Sequence, residues 1–97
     1  MEYLIRAKDG EAFLVLDKAA VVDVLVPRDW PAERAGGPGD FRYHLEDTDV
    51  AFSLGNHGWQ VLLDGPMPPE RAEQLVEIVA GQIAEATGES IEWLPLD

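Results

Sequence analysis

Phe41-Arg42-Tyr43-His44-Leu45-Glu46-Asp47-Thr48-Asp49-Val50-Ala51-Phe52-Ser53-Leu54-Gly55-Asn56-His57-Gly58-Trp59-Gln60-Val61-Leu62-Leu63 is the stretch on which the fold turns. Three runs rich in aromatic and aliphatic residues, 41–45, 50–54 and 59–63, are separated by two polar segments, Glu46 to Asp49 and Gly55 to Gly58. Short apolar-patterned runs joined by turn residues specify an antiparallel meander. Downstream, Asp64-Gly65-Pro66-Met67-Pro68-Pro69 breaks the sheet and opens a helix expected from about Pro69 to Ala86, with Gly88 placed to stop it. On a helical wheel Ala72, Leu75, Val76, Val79, Ile83 and Ala86 form one stripe, and Glu70, Glu73, Glu77 and Glu85 occupy the opposite arc. Ser90-Ile91-Glu92-Trp93-Leu94 reads as a closing strand, with Pro95 suited to its exposed end.

Upstream, Tyr3-Leu4-Ile5-Arg6-Ala7-Lys8 and Glu11-Ala12-Phe13-Leu14-Val15-Leu16 flank Asp9-Gly10, a strong hairpin signal because this dipeptide tolerates the positive φ values of a type I′ turn. Pairing Lys8 with Glu11 places Tyr3, Ile5, Ala7, Ala12, Leu14 and Leu16 on one apolar face. In residues 17–26 Asp17 is positioned to cap a short helix while the valines favour a strand, and the balance goes to a third strand. Residues 27–40, with three prolines and three glycines, read as a long loop that has room for one helical turn after Asp29. The expected architecture is a single α+β domain over 1–97: an antiparallel sheet of five to seven strands covered by one long amphipathic helix, with a final strand after it.

Composition narrows the function. The 97 residues are 46% hydrophobic, enough for one core, and contain no cysteine, which removes disulfides, thiolate metal sites and thiol nucleophiles. No apolar run approaches the length of a membrane span, and no basic leader precedes a long apolar stretch, so the expectation is a cytoplasmic protein with no membrane association. The net charge of −12, from 19 acids and 7 bases, opposes direct binding to nucleic acid. It is also lopsided: residues 43–97 hold eleven acids against Arg71 alone. That asymmetry has two readings, a solubilising surface or an anionic face for a basic protein partner.

The chemistry-bearing candidates are few. His44, Asp47 and Asp49 are of metal-ligating types but have no diagnostic spacing, and Glu46 to Asp49 has the composition of a solvated turn. His57 sits between glycines in a second turn; Ser53 and Ser90 lie in no nucleophile motif; Gly36-Gly37-Pro38-Gly39 is followed by no Lys-Ser or Lys-Thr. Neither a catalytic centre nor a cofactor or metal site is therefore expected. Trp30, an aromatic in a Pro/Gly loop, either pins that loop to the core or anchors a partner. The expected partner-binding set is Trp30 with Glu46, Asp47, Asp49, Glu70, Glu73, Glu77 and Glu85. A ligand-binding or enzymatic module with a pocket near His44 or His57, and a homo-oligomer such as a dimer joined through a sheet edge, stay open as alternatives.

Residues 41–97, with the hairpin, the Gly58-Trp59-Gln60-Val61 strand, the amphipathic helix and the closing Gly88-Glu89-Ser90-Ile91-Glu92-Trp93 segment, resemble small bacterial immunity proteins of toxin and immunity pairs. Such proteins span many folds. The resemblance implies a cytoplasmic, non-enzymatic inhibitor that binds a cognate toxin, often a nuclease with a basic cleft.

Overall fold

The computed structural model describes residues 1–10 and 14–96. Six strands form one antiparallel sheet in the order β2-β3-β4-β5-β1-β6, and two helices pack on one of its faces. The elements are β1 (Glu2–Ala7), α1 (Lys18–Leu25), β2 (Glu33–Arg34), β3 (Phe41–Leu45), β4 (Thr48–Gly55), β5 (Gly58–Asp64), α2 (Pro69–Thr87) and β6 (Ile91–Pro95). The fold class is α+β, with the long helix followed by the final strand. Among the described residues no helix is long and apolar enough to cross a membrane.

The meander β3-β4-β5 forms as its pattern dictates. Its first connection is tighter than the expected four-residue turn: Leu45 pairs with Thr48, and Glu46 and Asp47 alone make the loop at φ values of 51° and 61°. Two consecutive left-handed residues are the type I′ geometry that matches strand twist. Strand β4 therefore begins at Thr48, whose side chain is buried.

Alternation then decides the core. Tyr3, Ile5 and Ala7, Phe41, Tyr43 and Leu45, Val50 and Phe52, and Trp59, Val61 and Leu63 are all buried on the helix-covered face. The opposite face carries Arg42, His44, Asp49, Ser53, Gln60 and Leu62, and no described helix covers it. Helix α2 buries Ala72, Leu75, Val76, Val79 and Ile83 as its stripe requires, but Ala86, in its last turn, is exposed. Gly88, left-handed at φ 74°, ends the helix by donating its N–H to Ala84 O at 2.9 Å.

The N-terminal third departs from expectation in two ways. The Asp9-Gly10 turn exists, with Gly10 N–H donating to Ala7 O at 2.9 Å, but among the described residues no strand follows it before α1. Only Gly10 of the pair is left-handed, Leu14 to Leu16 carry no strand, and the remaining expected strand residues, 11–13, lie outside the described residues. At Ile5, which the hairpin register would pair with Leu14, β5 takes one edge of β1 and β6 takes the other, so Leu14 has no edge left there. Leu14 still reaches the core, fully buried, and its carbonyl accepts the Trp59 indole N–H at 2.7 Å.

Within residues 17–26, Lys18–Leu25 form helix α1 rather than a third strand. Asp17 stands at its N-cap without a side-chain cap bond, and an isolated helix of eight residues is too short to persist in water. Tertiary contacts hold it. Val24 and Leu25 are buried, the helix packs on α2, and the Tyr43 hydroxyl donates to Leu25 O at 2.9 Å, where burial pushes its pKa above the ordinary tyrosine range. Gln82 of α2 completes the support: its amide donates to Val24 O at 2.9 Å and Val26 O at 2.8 Å, while its oxygen accepts the Arg28 N–H at 2.9 Å. Residues 27–40 contain no helical turn after Asp29; they instead contribute the two-residue strand β2 against β3.

Candidate functional site

Arg71, the lone base of the acidic half, organises the region in which most of the expected partner-binding residues meet. It lies on the first turns of α2, where its guanidinium stacks 3.5 Å from the Trp30 ring centroid. The same group donates to Glu46 from Nε at 3.1 Å and from Nη2 at 2.7 Å, a two-pronged grip across from α2 to the β3–β4 turn. The geometry joins three elements that are far apart in sequence. Cation–π stacking and bidentate carboxylate binding are complementary uses of a planar guanidinium, so one side chain serves both neighbours.

Trp30 is half-buried and packs against the core, so it pins the loop, yet its exposed part still lines a groove of about 530 Å³. Ile78, Gly81 and Gln82 of α2 line the same groove, with Arg71 toward one end and an Arg28–Glu85 ion pair at 2.7 Å toward the other. That ion pair is about two-thirds exposed on both sides, a placement worth only ~0–1 kcal/mol. Glu77 borders this groove and also a second one on the far side of α2.

The Arg71 hydrogen bond, with its positive charge, holds the Glu46 carboxyl below the ordinary glutamate range. A depressed folded pKa contributes stability that is present above the unfolded pKa and is lost as pH falls through the folded value. A carbon-detected NMR titration of Glu46 is expected to give a midpoint below that of an unperturbed glutamate, and Arg71→Ala is expected to return it to the ordinary range. An unchanged midpoint in the variant would show that the grip does not hold in solution.

The chain matches no protein-family model, no curated protein and no solved structure.

The remaining acids sort by their neighbours. Glu46 is neutralised by Arg71, Glu85 by Arg28, and Asp49 by Arg42. Asp49 points to the uncovered face of the sheet, with His44 Nε2 at 3.9 Å, and does not join the α2 region. Glu70, Glu73, Glu77 and Asp47 are exposed and have no ion pair among the described residues. The acidic half is thus not one continuous face. Among the described residues of that half the unpaired acids are the crest on α2, Asp47 at the neighbouring turn beside Glu46, and the outlying Asp64 and Glu89.

The histidines are separated. His44 lies near the β3–β4 end of the sheet, beside a shallow concavity bounded by Pro31, Glu33 and the Glu46-Asp47 turn, whereas His57 is exposed in the β4–β5 turn at the opposite end. Among the described residues no three His, Asp or Glu side chains gather as metal ligands would. Arg71, Arg28 and Gln82 were not legible as site residues from spacing. The signal that singles out Arg71 is its isolation, since a single base among eleven acids has many partners to choose from.

Proposed function

We propose that this protein is a non-enzymatic acidic inhibitor that binds and neutralises a basic protein, such as a toxin or nuclease, in the cytoplasm, in the manner of an immunity protein. The observation that carries the reading is the crest of Glu70, Glu73 and Glu77. They are spaced i, i+3 and i+7, so they stand on one exposed side of α2, and none has an ion pair among the described residues. Unpaired charge of one sign beside a braced aromatic suits a docking surface: the carboxylates steer a cationic partner, and the Trp30 groove receives an apolar or planar group. The arginine grip lowers the ordering cost, because Trp30 is already held before a partner arrives.

A tagged copy used for pull-down from its host lysate is expected to retain a basic protein at low salt and to lose much of it at high salt. With that partner in hand, the double reversal Glu73→Lys and Glu77→Lys is expected to slow association by about tenfold or more at low ionic strength. Dissociation should change less. An unchanged association rate would remove the crest from the mechanism, and retention of nothing but the tagged chain would make the charge a solubility feature.

A further inference from the structure

Among the described residues strand β6 closes the sheet on one side and pairs only with β1. Lys8 N–H donates to Ser90 O at 2.8 Å and Leu96 N–H to Glu2 O at 2.9 Å, so the even-numbered residues of this segment face β1. In an antiparallel ladder the alternate residues then turn outward, which places the N–H and C=O groups of both Ile91 and Trp93 on the open edge. Among the described residues no strand lies against them. Proteins usually protect such an edge with lysine, proline, a bulge or a covering segment. Here the β1–β6 register runs unbroken, lysine is absent from the strand, and Pro95 blocks only its last position.

Beside this edge a groove of about 360 Å³ runs between β6 and α2. Ala80, Gly81 and Ala84 form the helix side and Ile91 and Trp93 the strand side. The small helix residues give it depth, and a Cβ placed on Gly81 would meet nothing within 4 Å. Trp93 is braced by an edge-on contact with Tyr3, ring centroids 5.7 Å apart, so the wall it forms is set in advance. An exposed edge flanked by an apolar groove is the arrangement that takes an added strand: main-chain bonds supply affinity and the groove receives alternate side chains.

Charge selects the occupant. Glu77 stands on the groove's rim, with Glu73 one turn away and Glu89 just ahead of the strand, and none of the three has an ion pair among the described residues. A second copy of this chain would bring the same carboxylates against their counterparts, with a net charge of −12 on each side. We propose that the β6 edge and its groove bind an extended lysine- or arginine-bearing segment of a partner protein by strand addition. This goes beyond the inhibitory role above, because it stands on the outward backbone groups of Ile91 and Trp93 and not on the Trp30 groove.

The test is an NMR titration of the isotope-labelled full chain with a capped hexapeptide alternating valine and lysine, and with the same peptide N-methylated at alternate residues. Binding of the first is expected to shift the Ile91 and Trp93 amides and slow their hydrogen exchange. The N-methylated peptide should bind about tenfold more weakly, the loss expected for one or two hydrogen bonds. Ile91→Pro removes an outward donor while sparing the bonds to β1, and should weaken the first peptide by a similar factor. Should that variant disturb β6, the two peptides on the parent protein decide the matter. Equal affinity for both peptides, shifts confined to Glu73 and Glu77, or no shifts at millimolar peptide would each overturn the proposal. Those results would leave the association-rate test of the Trp30 and α2 surface untouched, so the two readings fail separately.

Discussion

Gly58→Ala is expected to destabilise the protein by about 2–6 kcal/mol, the sum of a backbone penalty of ~1–3 and an overpacking penalty of ~1–3 kcal/mol. Gly58 opens β5 at φ 135°, a conformation that side-chain-bearing residues rarely adopt. A Cβ there would sit 2.2 Å from the Ile5 carbonyl oxygen and 3.1 Å from Arg6 Cα. Both obstacles are backbone of β1, which cannot rotate away as a flexible side chain would. Relief requires β1 to move off β5, and β1 is the strand that joins the meander to β6. Against a typical total of ~5–15 kcal/mol such a loss leaves little margin. Urea denaturation of the variant should show a much lower midpoint. A midpoint equal to that of the parent would mean that β1 does not approach β5 as described.

Gln82→Leu is expected to cost about 2–4 kcal/mol, although leucine has a similar volume and suits helices better. The glutamine amide is buried at 5% exposure and serves the backbone groups that follow the end of α1. Its replacement would leave the carbonyls of Val24 and Val26 and the N–H of Arg28 without their partner, at ~1–3 kcal/mol for each group that water cannot reach. Some of these groups are only partly buried, which keeps the total below the full sum. Hydrogen exchange localises the effect: amides of α1 should lose protection first, while β3, β4 and β5 keep theirs. Uniform loss across the sheet would show that α1 is not a separately supported unit. Arg28→Ala is the useful contrast: among the described residues the Arg28 side chain makes only the exposed pair with Glu85, so the variant should fall within ~1 kcal/mol of the parent.

These two residues also mark where reading along the chain stops. Gly58 reads in the sequence as one of the glycines of a polar turn, and nothing local tells that the β1 backbone will pass beside it. Gln82 falls at the edge of the α2 stripe, where a polar residue is expected to face water. The partners of both lie more than fifty residues away in sequence, and the pairing is made only when the chain closes on itself. Arg71 is the same case at the candidate site, because its stack on Trp30 and its grip on Glu46 join residues that no spacing connects.

The parts that can be read along the chain are those whose physics is local. Alternation in 41–63 and the apolar stripe of 69–87 specify meander and helix through side-chain direction alone, and Gly88 ends the helix through its own backbone freedom. The closing strand at 91–95 follows from the same local pattern. The N-terminal third depends instead on contacts between distant elements. Asp9-Gly10 favours a hairpin, and the valines of 17–26 favour a strand. Both preferences amount to about 1 kcal/mol or less per residue, and among the described residues they yield where β5 and β6 occupy both edges of β1 at Ile5 and where α2 offers α1 a buried surface. The charge excess was legible from composition, but which carboxylates remain unpaired was not. Ion pairing depends on distances between side chains, and those distances exist only after the sheet and helices have packed.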